Sequence, residues 1–349
     1  MILYLHIPFC DSKCPYCAFT SYTNKTALKE AYARAILEQL EFEIEKFHAP
    51  IIESVFIGGG TPSVFSPKLL KPFMQRLTPL LSGKAEMTTE ANPNSASPEW
   101  LFGMRELGFN RISFGVQSFD DKKLKFLGRA HSSREAKEAV LNAKKAGFEN
   151  ISIDLIYGAK PDTKKLLEND IKTASALPIN HLSAYSLTLE EKTPFFDRKD
   201  AAKESLYMAK FIVKALKNEG FSQYEVSNFS RGYECFHNKR YWAHDSYMGV
   251  GCSAVGFDGN RRFYPSSDLE EYIKMPLFQK VEVLSEEDLR LERLFLALRS
   301  NLGISLERFS QESQDKIDAL ISEKKVYIKD DRLYSNDYFL ADEIALFLS

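Results

Sequence analysis

No stretch of eighteen apolar residues occurs in this 349-residue chain, so a membrane-spanning helix is not expected. The start also lacks a basic stretch followed by a long apolar core. Ile2, Leu3, Tyr4 and Leu5 come straight after Met1, which does not read as a secretory leader. A cytoplasmic location and reduced thiols are therefore expected. Net charge is nearly absent: 46 Lys and Arg against 48 Asp and Glu leave −2. That argues against nucleic acid as a partner held by overall charge. Cysteine is scarce at five residues, too few for a disulfide scaffold in a chain of this length. Repeats and low-complexity tracts are missing too. What remains is an ordinary globular composition, 44% apolar and 27% charged, with ample material for a core.

The first half alternates between short β-rich runs and longer helical patterns. The runs are Ile2–Ile7, Ile51–Ile57, Ala85–Glu90, Arg111–Val116, Ile151–Ile156 and His181–Leu187. Between the first two, Leu28, Tyr32, Ile36, Leu40, Ile44 and Phe47 recur at helical steps. Ala136, Ala139, Val140 and Ala143 do the same behind a capping box of Ser132 and Glu135, with Gly147 as a C-cap. Six alternations predict an α/β chain with a parallel sheet, as a partial (β/α)6 TIM-like barrel or a doubly wound sheet. Either puts the active site at the C-terminal ends of the strands. Gly58-Gly59-Gly60-Thr61-Pro62, Glu90, Asn92, Gln117 and Asp154 are phased to that rim.

The pattern divides the chain into 1–225, a connecting region 226–284 and a small unit 285–349. Ala201–Lys217 reads as a helix. In the last unit Leu289–Leu298 and Leu306–Ile321 read as helices and Val326–Ser335 as a hairpin turning at Asp330-Asp331, with Leu340–Leu348 closing the chain. Helices followed by a hairpin make an α+β, winged-helix-like unit.

Three of the five cysteines, Cys10, Cys14 and Cys17, follow the first run with the spacing C-x3-C-x2-C. A structural zinc site normally offers four ligands in two pairs, and no fourth follows closely. Three thiolates can each hold one iron of a [4Fe–4S] cluster and leave the fourth open. That spacing resembles the radical S-adenosylmethionine superfamily, and Gly58–Pro62 is similar to its glycine-rich element. Tyr4-Leu5-His6-Ile7-Pro8-Phe9-Cys10, Gly115-Val116-Gln117-Ser118-Phe119, Gly128-Arg129 and Ile153–Gly158 narrow the resemblance to one branch. That branch contains the oxygen-independent coproporphyrinogen III oxidases and haem chaperones. The resemblance implies that Cys10, Cys14 and Cys17 hold the cluster. It further implies that the open iron takes S-adenosylmethionine, with an electron donor as partner. Tyr4, Tyr16, Gly59, Gly60, Thr61, Glu90, Gln117, Arg129, Asp154 and Val255 would surround S-adenosylmethionine. Arg129 has the shape to clamp a carboxylate with two N–H groups.

Chaperone and oxidase diverge at legible places. The oxidases resemble one another in a fourth cysteine two residues after the third, where this chain has Phe19. They also carry an N-terminal arm, whereas Tyr4 stands almost at the start here. His237-Asn238-Lys239-Arg240-Tyr241-Trp242 matches the HNxxYW element of the chaperones. A neutral imidazole is a good haem ligand, and Tyr241 and Trp242 offer flat aromatic surface. His237 is thus the expected haem ligand, with Cys235 as the alternative. Cys252 is expected to pack, His6 to bond near the cluster loop and His48 to lie on the surface. The resemblance implies a haem chaperone that releases haem to a haem-requiring, membrane-associated acceptor. The other possibility is an oxidase that decarboxylates two propionates of coproporphyrinogen III to vinyl groups. Whether S-adenosylmethionine is cleaved stays open.

Overall fold

The computed structural model describes every residue except Glu204, and only the backbone of Glu312. Six strands run parallel in sequence order: β1 (Ile2–Ile7), β2 (Ile52–Gly59), β3 (Leu81–Ala91), β4 (Arg111–Gln117), β5 (Asn150–Tyr157) and β6 (His181–Ser186). Crossovers run through α1 (Lys29–Lys46), α2 (Pro67–Leu77), α3 (Pro98–Glu106), α4 (Asp121–Phe126) with α5 (Ser133–Lys145), and α6 (Lys164–Ser175). This is the α/β partial (β/α)6 barrel the alternation predicts. β1 reads as a nearly continuous apolar run because a parallel strand is covered on both faces. Its Ile2, Leu3, Leu5 and Ile7 are fully buried. α5 starts at the predicted capping box: Ser132 Oγ accepts from Glu135 N, and the Glu135 carboxylate accepts from Ser132 N at 2.7 Å.

The barrel is open. Beyond β6, β7 (Ser222–Gln223) and β8 (Asn228–Ser230) continue the sheet antiparallel, fed by α7 (Leu206–Asn218). Beyond β1 lies β9 (Tyr247–Val250), parallel to it, then β10 (Gly256–Phe257), β11 (Arg261–Pro265) and β12 (Gln279–Val283). α8 (Phe236–Trp242) sits against the N-terminal halves of β2 and β3, and α9 (Leu269–Lys274) packs on α1. Residues 226–284 therefore add five strands to the barrel's own sheet.

Residues 285–349 fold around a separate core that includes Leu294, Leu298, Ile317, Leu320, Leu333 and Ile344. α10 (Glu286–Leu298), α11 (Gln314–Ser322) and α12 (Ala341–Leu348) surround a sheet of β13 (Ile304–Ser305), β15 (Arg332–Ser335) and β14 (Val326–Lys329), in that order. The hairpin turns where expected. Asp330 and Asp331 both take left-handed φ, 49° and 56°, as a tight two-residue turn demands. The single helix expected over Leu306–Ile321 is broken into two short turns before α11. Phe309 is extended there, with ψ at 140°, and packs against the small core.

Candidate functional site

The cysteine loop leaves β1 at Pro8 and is closed at its base by two backbone bonds. Tyr22 N donates to Pro8 O at 2.7 Å and Cys10 N to Tyr22 O at 3.1 Å. His6 Nε2 pairs with the Thr20 carbonyl at 2.9 Å, so the histidine bonds near the loop as expected. Burial holds its pKa below the usual imidazole value. Inside the loop Cys17 N donates to Cys14 O, a turn that brings the three thiols to one wall of a cavity. All three are free and half-buried. Among the described residues no three His, Cys, Asp or Glu side chains converge on a single metal ion. Three free thiols lining one cavity suit a group that takes one iron for each.

Two glycines make the cradle. A Cβ on Gly60 would stand 3.0 Å from Cys10 Sγ and 2.8 Å from the Phe9 carbonyl. Gly128 has φ +67°, and a Cβ there would stand 2.6 Å from Cδ of Pro15, inside the cysteine loop. Gly128-Arg129 is thus docked on the loop. Arg129 Nη1 donates to Cys14 Sγ at 3.4 Å, while Nη2 donates to Asn92 Oδ1 at 2.6 Å and to Gly115 O at 2.7 Å. Both Nη atoms have partners within the chain, and its buried Nε–H has none. Asn92 is a residue that the sequence placed on the rim without a ligand role. It links Arg129 to Thr61, giving its Nδ2–H to Thr61 Oγ1 at 3.1 Å, and Thr61 Oγ1 lies 3.3 Å from Cys10 Sγ. Only its position at the end of β3 hinted at this.

Two half-buried carboxyls line the same cavity as the thiols. Glu90 accepts from Gly59 N at 3.3 Å, and Asp154 accepts from Ser113 Oγ at 3.3 Å. Burial, then the nearby Asp154, pushes Glu90 up to about 8. Burial likewise pushes Asp154 up to about 6. Two poorly compensated carboxyls in one cavity suit a cationic ligand, since a positive charge relieves both. Gln117 completes the wall in a left-handed conformation, φ 68°, beside a β-bulge in β4. Tyr16 lines the cavity and reaches Arg129. The Tyr4 hydroxyl lies 3.0 Å from His6 Nδ1, and Val255 packs its backbone against Gly249 of β9.

The HNxxYW element lies at the other end of the barrel. His237 is 1% exposed. Its Nδ1 is 2.8 Å from Ser54 Oγ, and burial followed by Arg111 pushes its pKa down to about 3. Its Nε2 is buried without a partner. The Glu86 carboxylate caps the helix start, accepting from Phe236 N, His237 N and the Tyr233 hydroxyl at 2.8, 2.9 and 2.5 Å. Trp242 packs on Tyr224, and Tyr241 on His237. This polar floor also holds Arg111, His181 and Ser152. His237, backed by Tyr241, therefore sits sealed beneath α8. Cys235 is no better placed. It is fully buried, and burial pushes its thiol up to about 12. Cys252 packs as expected, and His48 is exposed.

Residues 4–174 match the Radical SAM superfamily. The Bacillus subtilis protein "Heme chaperone HemW" is 35% identical over 334 residues, covering 91% of this chain and 88% of the relative. The Lactococcus lactis protein of the same name is 34% identical over 348 residues, covering 96% and 90%. The chain belongs to the HemW family. It sits within the radical S-adenosylmethionine superfamily, in the branch the motifs indicated. The structure of Escherichia coli coproporphyrinogen III oxidase (HemN), described as a radical SAM enzyme, superposes with a TM-score of 0.83 over 99% of this chain and 89% of that one. Identity there is 19%, so that likeness speaks for the α/β fold alone. No helix among the described residues is long and apolar enough to cross a membrane.

Proposed function

We propose that this chain binds haem and hands it to haem-requiring proteins, some of them membrane-associated. In this reading a [4Fe–4S] cluster sits on Cys10, Cys14 and Cys17, and S-adenosylmethionine fills the rim cavity. The observation that carries the reading is near-complete alignment with HemW relatives, combined with a cysteine loop that ends in Phe19 rather than a fourth thiol. Held there with one iron open, the cluster, once reduced by an external electron donor, would supply an electron to the sulfonium of S-adenosylmethionine.

The chain's own residues do the rest. Glu90 and Asp154 offer negative charge to the ammonium and sulfonium and acceptors to the ribose hydroxyls. Gly59 and Gly60 keep that edge free of side chains. Gln117 supplies one donor and one acceptor. Arg129, held by Asn92 and Gly115, steadies the Cys14 thiolate with Nη1 and turns its spare Nε–H on the ligand. Tyr4, on β1, and Val255, packed against β9, would border S-adenosylmethionine.

The test is a transfer assay. Haem-loaded protein is mixed with an apo-haemoprotein, and haem is followed by absorption. Appearance of haem in the acceptor at a rate above that of free haem supports the chaperone. Anaerobic turnover of coproporphyrinogen III with S-adenosylmethionine and a reductant, without haem transfer, would replace it by the oxidase.

A further inference from the structure

Outside the rim site, a cavity of about 480 Å³ opens between the C-terminal end of α8 and the small unit, and a second of about 290 Å³ adjoins it within the small unit. They share Arg293, Ile304 and Arg308, so they form one groove. Its walls are of two kinds. Trp242, Ile304 and Phe309 give apolar and aromatic surface, and Arg290, Arg293 and Arg308 give positive charge. Among the described residues these three arginines make no ion pair. A fourth, Arg332, is spent on the carbonyls of Leu302 and Gly303 at 2.8 and 2.7 Å. Glu286 and Glu307 also line the groove and are outnumbered by the arginines. In a chain of net charge −2, such a concentration of arginine is a local anion site.

We infer that this groove is the haem-docking site, with the ring against Trp242, Ile304 and Phe309 and the two propionates on Arg290, Arg293 and Arg308. The inference rests on the haem-carrying reading above. The occupant follows from the chemistry. The ligand must be apolar on its flat part and doubly anionic at one edge, because guanidinium groups recognise carboxylates through charge-assisted hydrogen bonds. A planar dicarboxylate porphyrin has that distribution. The groove also assigns the Trp242 end of HNxxYW a role that His237, sealed in the floor, does not fill. An open groove between two units suits a carrier, since haem can leave without the barrel opening.

The experiment is an anaerobic haem titration of the cluster-reconstituted full chain, wild type beside R293Q/R308Q and W242L. S-adenosylmethionine binding and the melting midpoint serve as controls for folding. R293Q/R308Q should weaken haem at least tenfold, which is about 1.4 kcal/mol. It should leave S-adenosylmethionine binding unchanged, and W242L should alter the absorption of the bound haem. Wild-type haem affinity in R293Q/R308Q, with both controls normal, would overturn the groove and leave the chaperone standing. Absence of saturable binding in the wild type would overturn the chaperone reading as well.

Discussion

Replacing Gly60 by Ala asks whether the cysteine loop rests on a backbone that tolerates no side chain. The added methyl would lie 2.8 Å from Phe9 O, 3.1 Å from Ile7 O and 3.0 Å from Cys10 Sγ. Ordinary carbon contacts begin near 3.4 Å. Neither carbonyl can retreat cheaply. Ile7 O accepts from Gly60 N at 2.9 Å and Phe9 O from Thr61 N at 2.8 Å, so moving either breaks the bond that aligns β1 with the glycine turn. Overpacking of this kind costs on the order of 1–3 kcal/mol. At about 2 kcal/mol the corresponding equilibrium shifts roughly 30-fold. Part of that cost appears as displacement of Cys10, so cluster loading should fall with stability. Gly83→Ala is the control, because a Cβ there meets nothing within 4 Å. The assay is urea unfolding of the apo chain together with iron and sulfide per chain after anaerobic reconstitution. G60A should show an earlier midpoint and partial loading, while G83A stays within about 0.5 kcal/mol of wild type. Full loading of G60A at an unchanged midpoint would refute the reasoning.

Cys14→Ala should abolish the visible thiolate-to-iron absorption after reconstitution, and a complete cubane in that variant would remove Cys14 from the ligand set. Folding holds protons on Glu90 up to about pH 8 against 4.5 unfolded, and on Asp154 up to about 6 against 3.8. The native state therefore binds more protons in that window, and apo stability should fall as pH rises from about 4.5 to 8. Glu90→Gln should flatten the slope. Binding of cationic S-adenosylmethionine should release protons near pH 7, a quantity read by calorimetry in two buffers of different ionisation enthalpy; equal heats would contradict it. Glu86→Ala leaves two amides of α8 without an acceptor and should cost about 3 kcal/mol. His237→Ala should lower the melting midpoint yet leave the spectrum of bound haem unchanged; a changed spectrum would return His237 to the iron.

The barrel strands were legible because parallel strands buried on both faces write short apolar runs, and their ends place Glu90, Gln117 and Asp154 on one rim. The helix over Ser133–Lys145 was legible to its cap. The five added strands were not. β9 to β12 are short, β12 is mostly exposed, and β9 pairs with β1 from more than 240 residues away in sequence. The floor was hidden for the same reason, because His237 meets Ser54 and Glu86 only after folding. Asn92 carried no signal beyond its position, since its role is a bridge between Thr61 and Arg129.

The most direct test of the haem-carrying account is the anaerobic titration of the cluster-loaded chain with haem, followed by mixing with an apo-haemoprotein. The account predicts saturable binding of one haem per chain and its appearance in the acceptor. Binding that never saturates, with no transfer, would contradict it.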